Sequence, residues 1–240
     1  MFTSNRFTDL KNLDKNDWRK LISLGILFYT LTQGFQFIGL SLLPAVSVSL
    51  ILNFTPLVVA LLGIVTIKEI PSSKQWAGVL LFVIGVLLYF LPVDFSSSRL
   101  TGIIIMIGGV IVNAGSALLG RSINREGKIT PLTVTVISMG IGSIILLFSG
   151  LAMNGIPSVS FKNILFLLWL AGVNTAFAFT LWNITLRSLS AMESSIINGT
   201  MLIQIAFLAW IFLGESITLK EGTGMCIAAA GAFLVQIKNK

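Results

Sequence analysis

Apolar positions along this chain run in eight long stretches, each near the roughly 20 residues that a bilayer-spanning helix requires, separated by short polar intervals. The stretches are A, Lys20 to Leu43; B, Ala45 to Ile67; C, Lys74 to Leu91; D, Leu100 to Gly120; E, Pro131 to Met153; F, Phe161 to Leu186; G, Ala191 to Leu213; and H, Leu219 to Ile237. All read as helices, since a transmembrane barrel strand alternates apolar and polar residues over about ten positions and the sequence shows no such alternation. The pattern predicts an all-α, polytopic membrane helix bundle with eight transmembrane helices.

Composition narrows the function classes. The 240 residues are 55% hydrophobic and 10% charged, with a mean hydropathy of +0.95, where a soluble domain carries about 25% charged residues. Eight spans take up about 160 positions, which leaves no room for a separate soluble catalytic domain. The chain has no histidine, so the commonest general base and metal ligand is missing. No Ser and Lys pairing lies within the spans, and no pair of mid-membrane acids, so neither an enzyme nor a cofactor nor a metal is expected. Cys226 lies inside run H and reads as a small core residue. Met1 to Lys20 is polar and lacks the apolar core of a secretory signal.

The net charge of +7 would point to nucleic acid in a soluble protein, but here it is a topology signal. Arg6, Lys11, Lys15, Arg19, Lys20, Lys68, Lys74, Arg121, Arg125, Lys128, Arg187, Lys238 and Lys240 fall on one side of the eight spans; Arg99, Lys162 and Lys220 fall on the other. This asymmetry predicts a multi-pass protein of the cytoplasmic membrane with both termini in the cytoplasm, and no nucleic-acid partner. Trp18 fits the interfacial aromatic belt at the mouth of A.

The chain also matches itself. At a constant offset of 146, Ala45 pairs with Ala191, Ser49 with Ser195, Ala60 with Ala206, Glu69 with Glu215, Lys74 with Lys220, Gly78 with Gly224 and Gly85 with Gly231. The hairpin of B and C is thus duplicated as G and H. G comes five spans after B, and an odd number means that the second copy crosses the membrane in the opposite sense. That is an inverted repeat, an architecture of many secondary transporters. The period implies a five-helix unit, complete as D to H and represented only by A, B and C in the first half, a 3 + 5 arrangement. Three segments follow: 1–19, a cytoplasmic N-terminal segment; 20–92, a partial first repeat; and 100–237, a full second repeat.

Three stretches resemble the EamA-type branch of the drug/metabolite transporter superfamily. They are Leu42-Leu43-Pro44-Ala45 leading to Pro56, Lys68-Glu69 and Gln75-Trp76-Ala77-Gly78-Val79; Leu181-Trp182-Asn183 with Leu186 and Ser190-Ala191; and Gly214-Glu215-Ser216. The resemblance implies two inverted five-helix halves, with the helices corresponding to A, B, D, F and G around a central substrate route. It also implies efflux. Two departures stand out. Lys68 replaces the family's usual Gly before Glu, and Leu202 replaces the proline that corresponds to Pro56, so B and G are expected to bend differently. The two helices expected before A are read as lost by truncation, with Met1 to Lys20 as the loop that followed them.

Polar groups within hydrocarbon need partners, and so face a bundle interior or a wet cavity. On A, Tyr29, Gln33 and Gln36 form one stripe; on B, Ser49, Asn53 and Pro56 share a face; D offers Asn113, F offers Asn174, Trp182 and Asn183, and G offers Asn198 and Gln204. These ten, with Ser49 and Pro56 set aside, form the expected substrate cavity, although the same residue types also join helices by hydrogen bonds. Glu193 is a candidate for proton or cation coupling; its alternative role is in the first turn of G, behind the N-cap Ser190 and near Arg187. Glu69 and Glu215 read as loop anchors. The route lacks a buried Lys or Arg. A secondary transporter for a small neutral, zwitterionic or cationic metabolite is expected, in the lipid bilayer and with room for a homo-oligomer. The alternative is a truncated non-transporting remnant or accessory membrane subunit.

Overall fold

The computed structural model describes residues 13–43, 45–91, 100–155, 160–213 and 217–237. These form ten helices: α1 (Lys15–Leu42), α2 (Ala45–Leu52), α3 (Thr55–Thr66), α4 (Ser73–Phe90), α5 (Leu100–Glu126), α6 (Pro131–Asn154), α7 (Phe161–Thr185), α8 (Ala191–Gly199), α9 (Met201–Leu213) and α10 (Leu219–Gln236). No strand occurs among the described residues. Six stretches there are long and apolar enough to cross a membrane: Lys15–Leu42, Ser47–Thr66, Ser73–Phe90, Leu100–Glu126, Pro131–Met153 and Phe161–Thr185.

Helix starts are set by side chains that satisfy the first free N–H groups. Reciprocal capping boxes open α1 (Asp14 with Asp17), α4 (Ser72 with Gln75), α8 (Ser190 with Glu193) and α10 (Thr218 with Glu221). The α4 and α10 boxes stand at the same offset of 146. The box at Asp14 explains why α1 begins at Lys15 and not at Lys20. Asp17 is buried there, and Lys128 pairs with both acids. The N–H of Asp17 and then the Lys128 ammonium hold the Asp14 carboxyl below the usual carboxylate range. Helix α5 also outruns its expected end at Gly120, because its last turns are tied down by polar contacts. Arg121 donates to the carbonyl of Leu186 at 2.7 Å, and Lys20 pairs with Glu126 at 2.6 Å.

Two contact-dense units are built from these helices, Met1–Gly34 with Leu119–Leu189 and Phe35–Leu118 with Ser190–Lys240. In the first, α1 and α6 approach so closely that a Cβ added at Gly25 would lie 2.6 Å from the Ser138 carbonyl oxygen, and one at Gly142 would lie 2.7 Å from that of Gly25. Leu21, Leu24, Ile123, Ile129 and Val134 form its core. Helices α1 and α7 each contain a wide π-helical stretch, Gly25–Thr32 and Leu170–Phe177. The hydroxyls of Thr32 and Thr175 reach the carbonyls five residues back, at 2.9 and 2.8 Å. The π stretch interrupts the expected stripe of Tyr29, Gln33 and Gln36.

The second unit is centred on the α4 and α10 pair. A Cβ at Gly78 would meet the Gly231 oxygen at 2.8 Å and one at Gly231 the Gly78 oxygen at 2.7 Å; Gly85 and Gly224 stand in the same relation, at 2.6 and 2.8 Å. The helices are antiparallel, and each contact maps onto another when the two copies are exchanged at the offset of 146. Main chain therefore lies on main chain, as small residues permit. Cys226 lies on the outer side of α10 and is exposed, not in the core as expected: the inner side is taken by Gly224, Ala228, Gly231 and Val235.

Runs B and G are each broken in two, at Phe54 and at Thr200, which again differ by 146. The N–H groups of Phe54 and Thr200 each donate to the carbonyl three residues back at 3.1 Å, and those of Val58 and Gln204 donate to the Phe54 and Thr200 carbonyls at 3.3 Å. The two runs are thus interrupted at equivalent positions, and the Thr200 N–H also reaches the Ile196 carbonyl at 3.1 Å. Pro56 removes a donor from the first break and frees the Leu52 carbonyl, which accepts the Thr55 hydroxyl at 2.7 Å. The second break needs no proline: the Thr200 hydroxyl donates to the Ile197 carbonyl at 2.7 Å, a back-bond that bends helices. The side chain of Leu202 lies outside those described.

Lys68, just past α3, has φ of 55°, the left-handed region in which a Cβ costs about 1–2 kcal/mol. Glycine, the residue expected at this position, would adopt that backbone without the cost. Lys68→Gly should raise stability by about 1 kcal/mol, read as a higher melting temperature in detergent; an unchanged or lower one would show that Lys68 is unstrained.

Candidate substrate route

In the second unit the polar groups gather at the α2–α3 break. Asn53 is half-buried, and its amide donates to the Ser49 carbonyl at 2.8 Å, which also accepts the Asn53 N–H at 3.1 Å. Asn113, on α5, reaches the Thr55 hydroxyl at 3.5 Å. Beside this group, between α2–α3 and α5, lies a cavity of about 520 Å³ lined by Ile51, Phe54, Val58, Ile103, Ile107 and Val110 with Ile111. The amides and hydroxyls stand outside this lining, which is apolar throughout and open at the half-exposed Ile107 and Ile111. Gln36 is half-buried, and Asn198 and Gln204 are exposed. Gly199, at the second break, packs on Phe82, with room for no Cβ: one would lie 2.6 Å from the Phe82 ring.

Glu193 also belongs to this unit. One of its oxygens accepts the Ser190 N–H at 2.8 Å, Ser190 Oγ accepts the Glu193 N–H at 3.2 Å, and the Gln75 amide lies 3.5 Å from the other oxygen. These are the contacts of a cap on α8. Glu69 joins it: its carboxylate accepts the N–H of Ala191, the first residue of α8, at 3.1 Å. Glu69 thus follows one helix end, where the dipole disfavours an acid, and serves another helix start, where the dipole favours it. Glu69, Gln75, Ser190 and Glu193 line a cleft of about 210 Å³ between the end of α3 and the start of α8. Glu215, the repeat counterpart of Glu69, lies outside the described residues.

In the first unit, Asn183 is 3% exposed and Asn124 is 1% exposed. The Asn124 amide donates to Asn183 Oδ1 at 2.7 Å and to the Gly120 carbonyl at 2.8 Å, while the Asn183 amide donates to Thr135 Oγ1 and to the Phe179 carbonyl, both at 3.0 Å. This network joins α5, α6 and α7. Sequence reasoning named Asn183 but missed Asn124 and Thr135, which sit at the polar ends of their runs and read as loop-side residues. Tyr29 is buried edge-to-face against Phe28 and Phe179, at 5.0 and 5.2 Å between ring centroids. Gln33 and Trp182 are half-buried; the side chain of Asn174 lies outside those described. Arg187 donates to the Ile129 carbonyl at 2.9 Å. Among the described residues no group of three or more His, Cys, Asp or Glu is placed to hold a metal ion.

Known proteins share this sequence and fold. The chain is 26% identical to an uncharacterized transporter of Archaeoglobus fulgidus over 229 residues, which cover 93% of this chain and 78% of that one. It is 28% identical to the uncharacterized transporter YvbV of Bacillus subtilis, covering 94% of this chain and 74% of that one. An S-adenosylmethionine/S-adenosylhomocysteine transporter of Chlamydia trachomatis is 24% identical, over 82% of this chain and 63% of its own length. A solved crystal structure superposes with a TM-score of 0.76 at 16% identity, over 94% of this chain and 77% of that one, and so shares the fold. The model of the EamA-like transporter family matches residues 6–91 and 100–237. The helices, the polar groups held among them and this match over nearly the whole length lead to one assignment: the chain belongs to the EamA-like transporter family, multi-pass membrane transporters rather than enzymes.

Proposed function

We propose that the chain is a secondary transporter that moves a small neutral, zwitterionic or cationic metabolite by alternating access, as eight spans in an inverted 3 + 5 repeat with both termini in the cytoplasm. The carrying observation is the pair of breaks at Phe54 and Thr200, since interrupted helices at a repeat interface are where such carriers bind substrate. Amides and hydroxyls supply hydrogen bonds there without a fixed positive charge, which suits a neutral or cationic ligand. The Chlamydia relative named for S-adenosylmethionine falls within that class. Asn53, Asn113, Gln36, Asn198 and Gln204 are the proposed contacts in the second unit, with Gln33, Tyr29, Asn174, Trp182 and Asn183 in the first. Glu193 is retained as a coupling residue only in so far as its cap can be released.

The test is uptake into proteoliposomes of a panel of amino acids, S-adenosylmethionine and lipophilic cations. For a transported compound, Asn53→Ala should raise KM about tenfold with little change in melting temperature, the loss of one hydrogen bond to a charged group. A panel without any transported compound, or a KM untouched by Asn53→Ala and Asn113→Ala together, would overturn this assignment of the route.

A further inference from the structure

Helices α3 and α8 pack on each other in the second unit, yet belong to different copies of the repeat. Their neighbours α4 and α10 are held main chain to main chain by four glycines, a contact that loses about a quarter to a half of its attraction when it widens by roughly 0.5–1 Å. The junction of α3 with α8 is of another kind. At its end the Ala191 N–H donates a charge-assisted hydrogen bond to the Glu69 carboxylate, and the Gln75 amide makes a longer approach to Glu193. Both are contacts that water can replace. A cleft of about 210 Å³ already lies under them, with Val59, Ala60, Gly63 and Met192 on its inner wall. Both helices can swing, since each ends at a break, α3 at Phe54 and α8 at Thr200. The left-handed Lys68, at φ of 55°, turns the chain immediately before Glu69.

We infer that Glu69 is a positioning residue that latches one access gate: its carboxylate holds the start of α8 against the end of α3, and release of that bond opens the cleft toward the solvent at this end of the unit. The inference rests on the alternating-access reading above. Substrate does not touch Glu69; the residue acts by setting the balance between the state closed at this end and the state closed at the other.

The experiment uses the full chain in membrane vesicles with Cys226→Ser as background and two single reporters, Met192→Cys in the cleft and Ser47→Cys near the opposite end of the α2–α3 pair. Both native side chains are buried. The rate of labelling by a membrane-impermeant maleimide is read from each side of the vesicle. Adding Glu69→Ala should raise the rate at Met192→Cys about tenfold, as expected for one lost charge-assisted bond, and lower the rate at Ser47→Cys. Glu69→Gln, which keeps an acceptor oxygen, should return most of both rates to their original values. Unchanged rates, or rates that rise together at both ends as simple loosening would make them do, overturn the latch. If leucine, S-adenosylmethionine or tetraphenylphosphonium moves the two reporters in opposite senses while Glu69→Ala does not, the latch fails and transport stands. If no compound and no variant moves them reciprocally, alternating access fails as well.

Discussion

Gly85→Ala is expected to destabilise the protein by about 3 kcal/mol, at the upper end for overpacking, and Gly85→Leu to leave no folded protein to purify. A Cβ at Gly85 has nowhere to go: it would lie 2.6 Å from the Gly224 carbonyl oxygen and against the main chain of Ala228. Those atoms belong to the facing helix backbone and cannot rotate aside as a side chain would. The same holds at Gly231, which would press on the main chain of Phe82. The two substitutions should also be non-additive. Once Gly85→Ala has forced α4 and α10 apart, Gly231→Ala finds part of its room already made, so the double variant should lose less than the sum of the single losses. Thermal unfolding in detergent measures all three. Gly150→Ala is the control, because it lies within α6 with no atom within 4 Å of an added Cβ, and should be neutral or stabilising by up to about 1 kcal/mol. Equal losses at Gly85 and Gly150 would mean that the seam is not tightly closed.

Asn183→Leu should cost about 2–3 kcal/mol, the second large effect. The substitution removes an acceptor from Asn124 and a donor from Thr135, both buried, and leaves the Asn124 amide with the Gly120 carbonyl alone. A buried polar group that loses its partner costs more than its bond contributed. Replacing Asn124 and Asn183 together by leucine should recover much of the loss, because no half of the pair is then stranded. Melting temperature reads this directly, and uptake kinetics separate it from a role in the route. A KM that shifts in Asn183→Leu with the melting temperature held would support Asn183 as one of the proposed substrate contacts.

The helical plan was legible because hydrophobic runs of bilayer length leave few alternatives, and because loop residues such as Ser72 and Gln75 or Ser190 and Glu193 cap the helix that directly follows them. The offset of 146 was legible for the same reason, carried by Glu69 and the glycines. What the sequence hid was non-local. Glu69 follows α3 in the chain, yet it bonds to Ala191 on the far side of four further runs, and no local pattern announces that. The break at Thr200 has no proline to mark it. Asn124 and Thr135 lie beyond or at the edge of apolar runs, where polar residues usually meet water, so their burial depends on neighbours that periodicity does not name. The π stretches of α1 and α7 have no signature in composition. Cys226 shows the converse error, since an apolar run says that a residue avoids water but not whether it meets protein or lipid.

The glycine seam between α4 and α10 has one more consequence. Because Gly78 faces Gly231 as Gly85 faces Gly224, the chain carries two gauges with matched readings, one at each end of the helix pair. Sliding or a change of crossing angle would stretch both alike, whereas prising the pair open at one end would lengthen one and leave the other near contact. Spin labels or fluorophores at solvent- or lipid-facing positions next to these glycines would thus report the kind of motion by comparison of two distances within one molecule, with no reference structure of a second state required.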